Sequence, residues 1–297
     1  MTAASDAQNN RPIIAAAFLL GGICSVASMD ALAKILSASV PIMQINWARF
    51  FFHLLSVTPL VWYLRRQVSL TTLLQAQRQH LPLHIMRGML LAASSFSFFY
   101  AISENPVPDA LAIFFIEPLV VMLIARLFIG EKFDARLLVA AIGGLFGVLI
   151  ILRPGLDVSG YSPKILFALV AAVCFAGYIV SARHVSNHTP AVFTSWTTAL
   201  FGLIPISLLM FFFWQPASSK EWLLLIAVGG LSGLGHTLII LAVRYTTASR
   251  LAVLHYAEVP IAALISWFLF SHFPDIWVWS GIILIAMANL YALRLRH

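Results

Sequence analysis

Charge is scarce in this chain: Asp, Glu, Lys and Arg make up only 10% of 297 residues, too few to clothe the surface of a soluble domain. Cysteine is nearly absent, with only Cys24 and Cys174, both inside apolar runs and neither near a second thiol or histidine at ligand spacing. That excludes a disulfide framework and a Cys/His zinc site. No GxxxxGK[ST] run occurs and no polar domain is available to hold ATP, so a nucleotide-driven machine is not expected. HExxH and GxSxG are missing as well, which argues against an intramembrane enzyme, the competing class. The formal charge of +7 comes from Lys and Arg scattered at the ends of apolar segments. With no basic stripe, nucleic acid is not an expected partner.

What fills the chain is hydrocarbon: 61% hydrophobic residues and a mean hydropathy of +0.93. Continuous hydrophobicity marks ten stretches, roughly 12 to 35, 42 to 64, 82 to 103, 107 to 130, 134 to 153, 163 to 185, 190 to 213, 221 to 244, 248 to 271 and 276 to 294. Each is about long enough to cross a bilayer as a helix and about twice as long as a barrel strand requires. Backbone groups in lipid must pair within their own segment, so the stretches read as helices. Pro12, Pro41, Pro82, Pro108, Pro163 and Pro190 fall near the expected helix starts, where a missing N–H costs little.

Ten spans put both termini on one side. That side collects 13 of the 18 Lys and Arg residues, Arg87 and Arg250 among them, and the other side holds Lys34, Arg49, Arg153, Lys164 and Lys220. By the positive-inside rule both termini are cytoplasmic. The first span follows Arg11 like a signal peptide, but at about 24 residues it exceeds the usual apolar core of one. Residues 1–11 read as a cytoplasmic tail, and 65 to 81 as a modest polar loop. The rest is one compact membrane domain.

The second half overlays the first at a nearly constant offset: Cys24 on Cys174, Lys34 on His184, Pro41 on Pro190, Trp47 on Trp196, Glu117 on Glu258, and Asp134 on Asp275. Two units follow, 12–153 and 154–297. Five helices in each is an odd number, so the second unit enters the membrane from the opposite side. The expected fold is an all-α membrane protein of ten transmembrane helices in two inverted five-helix repeats, an arrangement that recurs in secondary transporters with a site near the midplane.

The order of motifs resembles the drug/metabolite transporter superfamily, EamA type, across essentially the whole chain. The resemblance rests on Pro41 to Phe52 (PIMQINWARFFF), His84 to Leu91 (HIMRGMLL), Phe115 to Pro118 (FIEP) and Leu127 to Lys132 (LFIGEK). Gly143 to Pro154 (GGLFGVLIILRP), Tyr256 to Pro260 (YAEVP) and Phe270 to Asp275 (FSHFPD) complete it. It implies a carrier of small metabolites across the bacterial inner membrane through a cavity lined by both halves. The most similar branch includes carriers for riboflavin and S-adenosylmethionine. His272 departs from the pattern, since many relatives carry there a Glu mirroring Glu131.

Ionisable groups deep in such a chain mark candidate function. Glu117 precedes Pro118 midway along the fourth span, and Glu258 lies two residues before Pro260 midway along the ninth. A carboxylate at that depth costs about 2.5 to 3.5 kcal/mol. It can bind a cation or carry a proton; alternatively it stays protonated and bonds a neighbouring helix. Asn46, Trp47 and Arg49 share one turn of the second span, and Arg49 is deep enough to need a carboxylate or a substrate anion. Asp30 and Lys34, at i and i+4, make a gate or an interfacial ion pair. His236 follows Gly229, Gly230, Gly233 and Gly235, and its repeat partner is Ser95; these small residues serve close packing or open space for a ligand. Tyr100 and Tyr256, with Trp47, are candidates for stacking on a flat ring.

These residues predict a secondary transporter for a small molecule, aromatic or cationic in leaning, working by alternating access with proton coupling or exchange. The alternative within the fold is an exporter of amino acids or other metabolites. No cofactor or metal is expected. The partners are the substrate, the bilayer and protons, and the oligomeric state is monomer or weak homodimer.

Overall fold

The computed structural model describes residues 11–65, 70–105, 107–153, 162–186, 188–270 and 274–295. His272 and the segment 1–10 lie outside them. Ten membrane-length helices run through the described residues: α1 (Pro12–Leu36), α2 (Ile42–Arg65), α3 (Leu70–Ile102), α4a (Val107–Phe114) with α4b (Glu117–Phe128), and α5 (Ala135–Leu152) in the first half. The second half holds α6 (Phe167–Val185, entered through a 3₁₀ turn at Pro163–Leu166), α7 (Ala191–Phe213), α8 (Ser219–Val243), α9a (Ala248–His255) with α9b (Glu258–Phe270), and α10 (Ile276–Arg294). No strand occurs among the described residues.

Nine of the ten are apolar enough to cross a membrane on composition alone, and the exception is α2. Its polar residues explain the shortfall. Gln44, Asn46 and His53 are each at most 1% exposed, so α2 turns its polar face to protein and its apolar face outward. The expected loop 65 to 81 is instead helical from Leu70, leaving Pro82 inside α3. Only His80 onward is apolar enough to span. The polar extension is rich in Leu, Gln and Ala, good helix formers that need no lipid.

The fourth and ninth helices each break at mid-membrane, where the sequence suggested continuous spans. Turns at 115–116 and 256–257 interrupt them, and the backbone tightens to three-residue bonds there: Leu119 N to Ile116 O at 3.0 Å, and Val259 N to Tyr256 O at 3.2 Å. Pro118 and Pro260 supply no N–H to the preceding turn. Each break therefore delivers one glutamate to the start of a half-helix.

Packing repeats between the halves. α1 lies on α8 as α6 lies on α3; α2 lies on α8 as α7 lies on α3; α4b lies on α6 as α9b lies on α1. The pairs α2 with α7 and α5 with α10 map onto themselves. Exchanging the two sets of five thus preserves the arrangement, and with an odd number of helices in each set the exchange reverses the direction across the membrane, as inverted repeats require. Small residues set the closest approaches. A Cβ on Gly235 of α8 would lie 3.0 Å from the Gly22 carbonyl of α1, and one on Gly88 of α3 would lie 2.8 Å from the Gly202 amide of α7.

Candidate functional site

Polar side chains from both halves meet near the axis in two groups. In the first, Arg49 of α2 donates to Ser95 Oγ of α3 at 3.2 Å and to Ser232 Oγ of α8 at 3.4 Å, and lies 2.9 Å from His236 Nε2. The other nitrogen of His236 sits 3.2 Å from the Tyr178 hydroxyl of α6. His53, one turn along α2, stacks on His236 with ring centroids 5.8 Å apart and meets Ser195 Oγ of α7 at 2.8 Å. Thr237 donates to the same Ser195 oxygen at 2.9 Å. Five helices, α2, α3, α6, α7 and α8, are tied together here by side chains alone.

The second group is acidic. Glu117, 1% exposed, opens α4b with one oxygen 3.6 Å from His255 Nδ1, while His255 Nε2 lies 3.3 Å from Glu258 Oε2. One imidazole therefore stands between carboxylates of opposite repeats. Neither Glu117 oxygen has a hydrogen-bond partner. An imidazole so placed can take a proton from either carboxylate, and the carboxylates can face a cation.

Asp30 joins the groups. It lies within electrostatic range of both Arg49 and Glu258, yet it is exposed. Glu117 and His255 line a crevice of about 180 Å³ together with Leu19, Ile179, Ile239, Leu251 and Ala252.

The expected site residues separate into those near this centre and those away from it. Glu117, Glu258, Arg49, Ser95, His236 and Asp30 come together. Asn46 is fully buried on α2 with both amide atoms unpartnered. Trp47 stacks on Phe51 at 4.7 Å and donates to Ser207 Oγ of α7 at 3.1 Å. Lys34 is exposed near the far end of α1. Tyr100 is exposed at the far end of α3, under the Lys164 ammonium at 4.7 Å. Tyr256 is fully buried against Gly144, where a Cβ would come within 2.4 Å of its ring. Gly229, Gly233 and Gly235 serve packing, whereas a Cβ on Gly230 would meet nothing.

Sequence reasoning passed over His53 and Tyr178, and gave His255 no partner. Arg87, counted with the terminal face, is fully buried between helices, as is Arg250 at 1% exposure. The available signal was depth, since Arg87 stands seven residues past His80, where the spanning part of α3 begins.

A ten-helix inverted repeat with polar groups on its axis defines a membrane carrier. The model of the EamA-like transporter family matches residues 13–153 and 162–293, and the chain belongs to that family. Among its relatives, the pseudopaline exporter CntI of Pseudomonas aeruginosa is 31% identical over 262 residues, spanning 88% of this chain and 89% of that one. The S-adenosylmethionine uptake transporter of Rickettsia felis is 26% identical over 92% of this chain and 90% of its own. The riboflavin transporter of Brucella anthropi is 30% identical over 72% and 77%. A solved crystal structure shares the fold with a TM-score of 0.76 at 22% identity, covering 93% of this chain and 96% of that one.

Proposed function

We propose that this protein is a secondary transporter in the bacterial inner membrane, with both termini cytoplasmic, that moves a small metabolite by alternating access between two repeats, 12–153 and 154–297. The supporting observation is the meeting of Glu117, His255 and Glu258 from opposite repeats at mid-membrane. Ionisable side chains are rare inside spans and face pathways when they occur there. Glu258 and His255 carry the proton or the cationic part of the substrate, and Arg49, with Ser95 and His236, fixes the polar counterpart. Riboflavin and S-adenosylmethionine are the substrates to try first, because relatives carry those names.

The test is flux into vesicles reconstituted with the purified full chain. Saturable uptake of one probe, competed by its unlabelled form, is the expected result. Flux proportional to concentration would indicate a channel, and a chemically altered probe would indicate an enzyme; either overturns the reading.

A further inference from the structure

Arg87 lies wholly inside α3, and its Nε, Nη1 and Nη2 all lack a hydrogen-bond partner. Its guanidinium faces the Tyr178 ring at 5.5 Å. The other charges that feel it come from His84 and His236, and no described carboxylate is among them. Arg49 is different, being held by two hydroxyls and His236 and sitting in range of Asp30 and Glu258. A guanidinium buried without a counter-ion is strongly unfavourable where an apolar residue would pack at no such cost. In a membrane span such a residue marks a pathway.

The surroundings say what would meet it. On α6, Phe175 stacks on His255 at 5.4 Å and lies 5.6 Å from the Tyr178 ring. Tyr178 in turn faces Arg87 and touches His236. Two rings on one face of α6 therefore separate the acidic group from the unmatched cation. Arg87 also stands eight residues before Ser95 on α3, about 12 Å nearer the terminal face by helical rise.

Building on the transport reading above, we propose that Arg87 and Tyr178 form an anion-accepting subsite of the same pathway, so that the transported molecule is dipolar. Its cationic or proton-donating end meets Glu117, Glu258 and Asp30, its apolar middle lies on Phe175 and Tyr178, and its anionic end, carboxylate or phosphate, meets Arg87 on the way to the terminal face.

Matched probes test this on the full chain in lipid nanodiscs, read by ligand-induced thermal shift. Two pairs differ by a carboxylate: S-adenosylmethionine with its decarboxylated form, and phenylalanine with phenethylamine. One differs by a phosphate: riboflavin 5′-phosphate with riboflavin. The wild type should bind the anionic member of at least one pair roughly tenfold more tightly, and which pair responds assigns carboxylate or phosphate. Arg87→Gln should erase that preference and Arg87→Lys keep part of it, while empty Arg87→Gln melts no lower than wild type because removing a buried charge without a counter-ion offsets the lost contact with Tyr178. Equal binding within every pair, or no binding of any anionic probe, overturns the proposal. So does a lower melting temperature or loss of folding in both variants, which makes Arg87 a structural anchor. Saturable flux that ignores the anion would reject this subsite and leave the transport reading standing.

Discussion

Trp47 and Trp196 make the same bond in opposite directions across the seam of α2 and α7. The Trp47 indole donates to Ser207 Oγ on α7 at 3.1 Å, and the Trp196 indole donates to Thr58 Oγ1 on α2 at 2.9 Å. Donor and acceptor are eleven residues apart on both helices, so the reciprocity is that of a twofold axis and not a local coincidence. Interhelical bonds of this kind are worth about 0.6 kcal/mol. Trp47→Phe and Trp196→Phe should each lower the melting temperature slightly and by similar amounts. The double variant should show their sum, and chemical denaturation in detergent measures it. Strong non-additivity would mean the two ends of the seam are not equivalent sites.

The α1–α8 contact yields a contrast between two glycines of one helix. At Gly235 a Cβ would lie 2.8 Å from Val26 Cγ2 and 3.0 Å from the Gly22 carbonyl, and at Gly230 it would meet nothing within 4 Å. Gly235→Ala must push backbone apart, at about 1 to 3 kcal/mol. Gly230→Ala gains helix propensity and should be neutral or stabilising by up to about 1 kcal/mol. Melting temperatures of the two variants should move in different directions, and a larger loss at Gly230 would be inconsistent with the packing.

Glu131 acts as a latch on the terminal face. Its carboxylate accepts from Ala248 N at 2.7 Å, Ser249 N at 3.1 Å and Ser249 Oγ at 2.7 Å, capping α9a from the end of α4b. Glu131→Ala leaves those amides open and should cost about 1 kcal/mol. Hydrogen exchange should quicken at 248–251 and not in α5. Unchanged protection there would mean that Thr247, which accepts from Arg250 N at 3.2 Å, suffices as the cap.

Outside the membrane the testable pH response lies at Asp275. The Arg153 guanidinium, followed by the Val278 amide, holds this carboxyl below its ordinary value of 3.8. A depressed carboxylate contributes stability that is complete above the unfolded value and is lost as pH falls through the folded one. Asp275→Asn should therefore melt lower than wild type by a constant margin at neutral and mildly acidic pH, and the margin should shrink below 3.8. A margin that widens with acid would contradict the ion pair.

Much of this architecture was legible in sequence. Hydropathy gave the order of ten spans, and Pro12 and Pro163 stand at the first turns of their helices. The matches of Asp134 with Asp275 and of Trp47 with Trp196 were equivalences of role. Both aspartates cap the start of the last helix in their half. Glu117 and Glu258 showed as charges in apolar runs. What lies between helices was not legible. Hydropathy assigns Arg87 to a helix end because it averages over a window, whereas burial depends on which neighbour covers the residue. His255 reads as an ordinary buried ring until the break at Tyr256 and Ala257 sets it against Glu117. Tyr100 and Tyr256 have similar neighbours in sequence and opposite surroundings in the fold, one exposed beside Lys164 and the other wedged on Gly144.

The central claim, that transport runs through the carboxylates on the axis, is most directly tested with Glu258→Gln in vesicles matched for protein amount and orientation. Glu258 is the more accessible of the pair, with 18% of its side chain exposed against 1% for Glu117. The account predicts a folded, correctly inserted variant whose saturable flux falls at least roughly tenfold, the loss typical of removing a charge-assisted contact. Undiminished flux with an unchanged pH profile would contradict it.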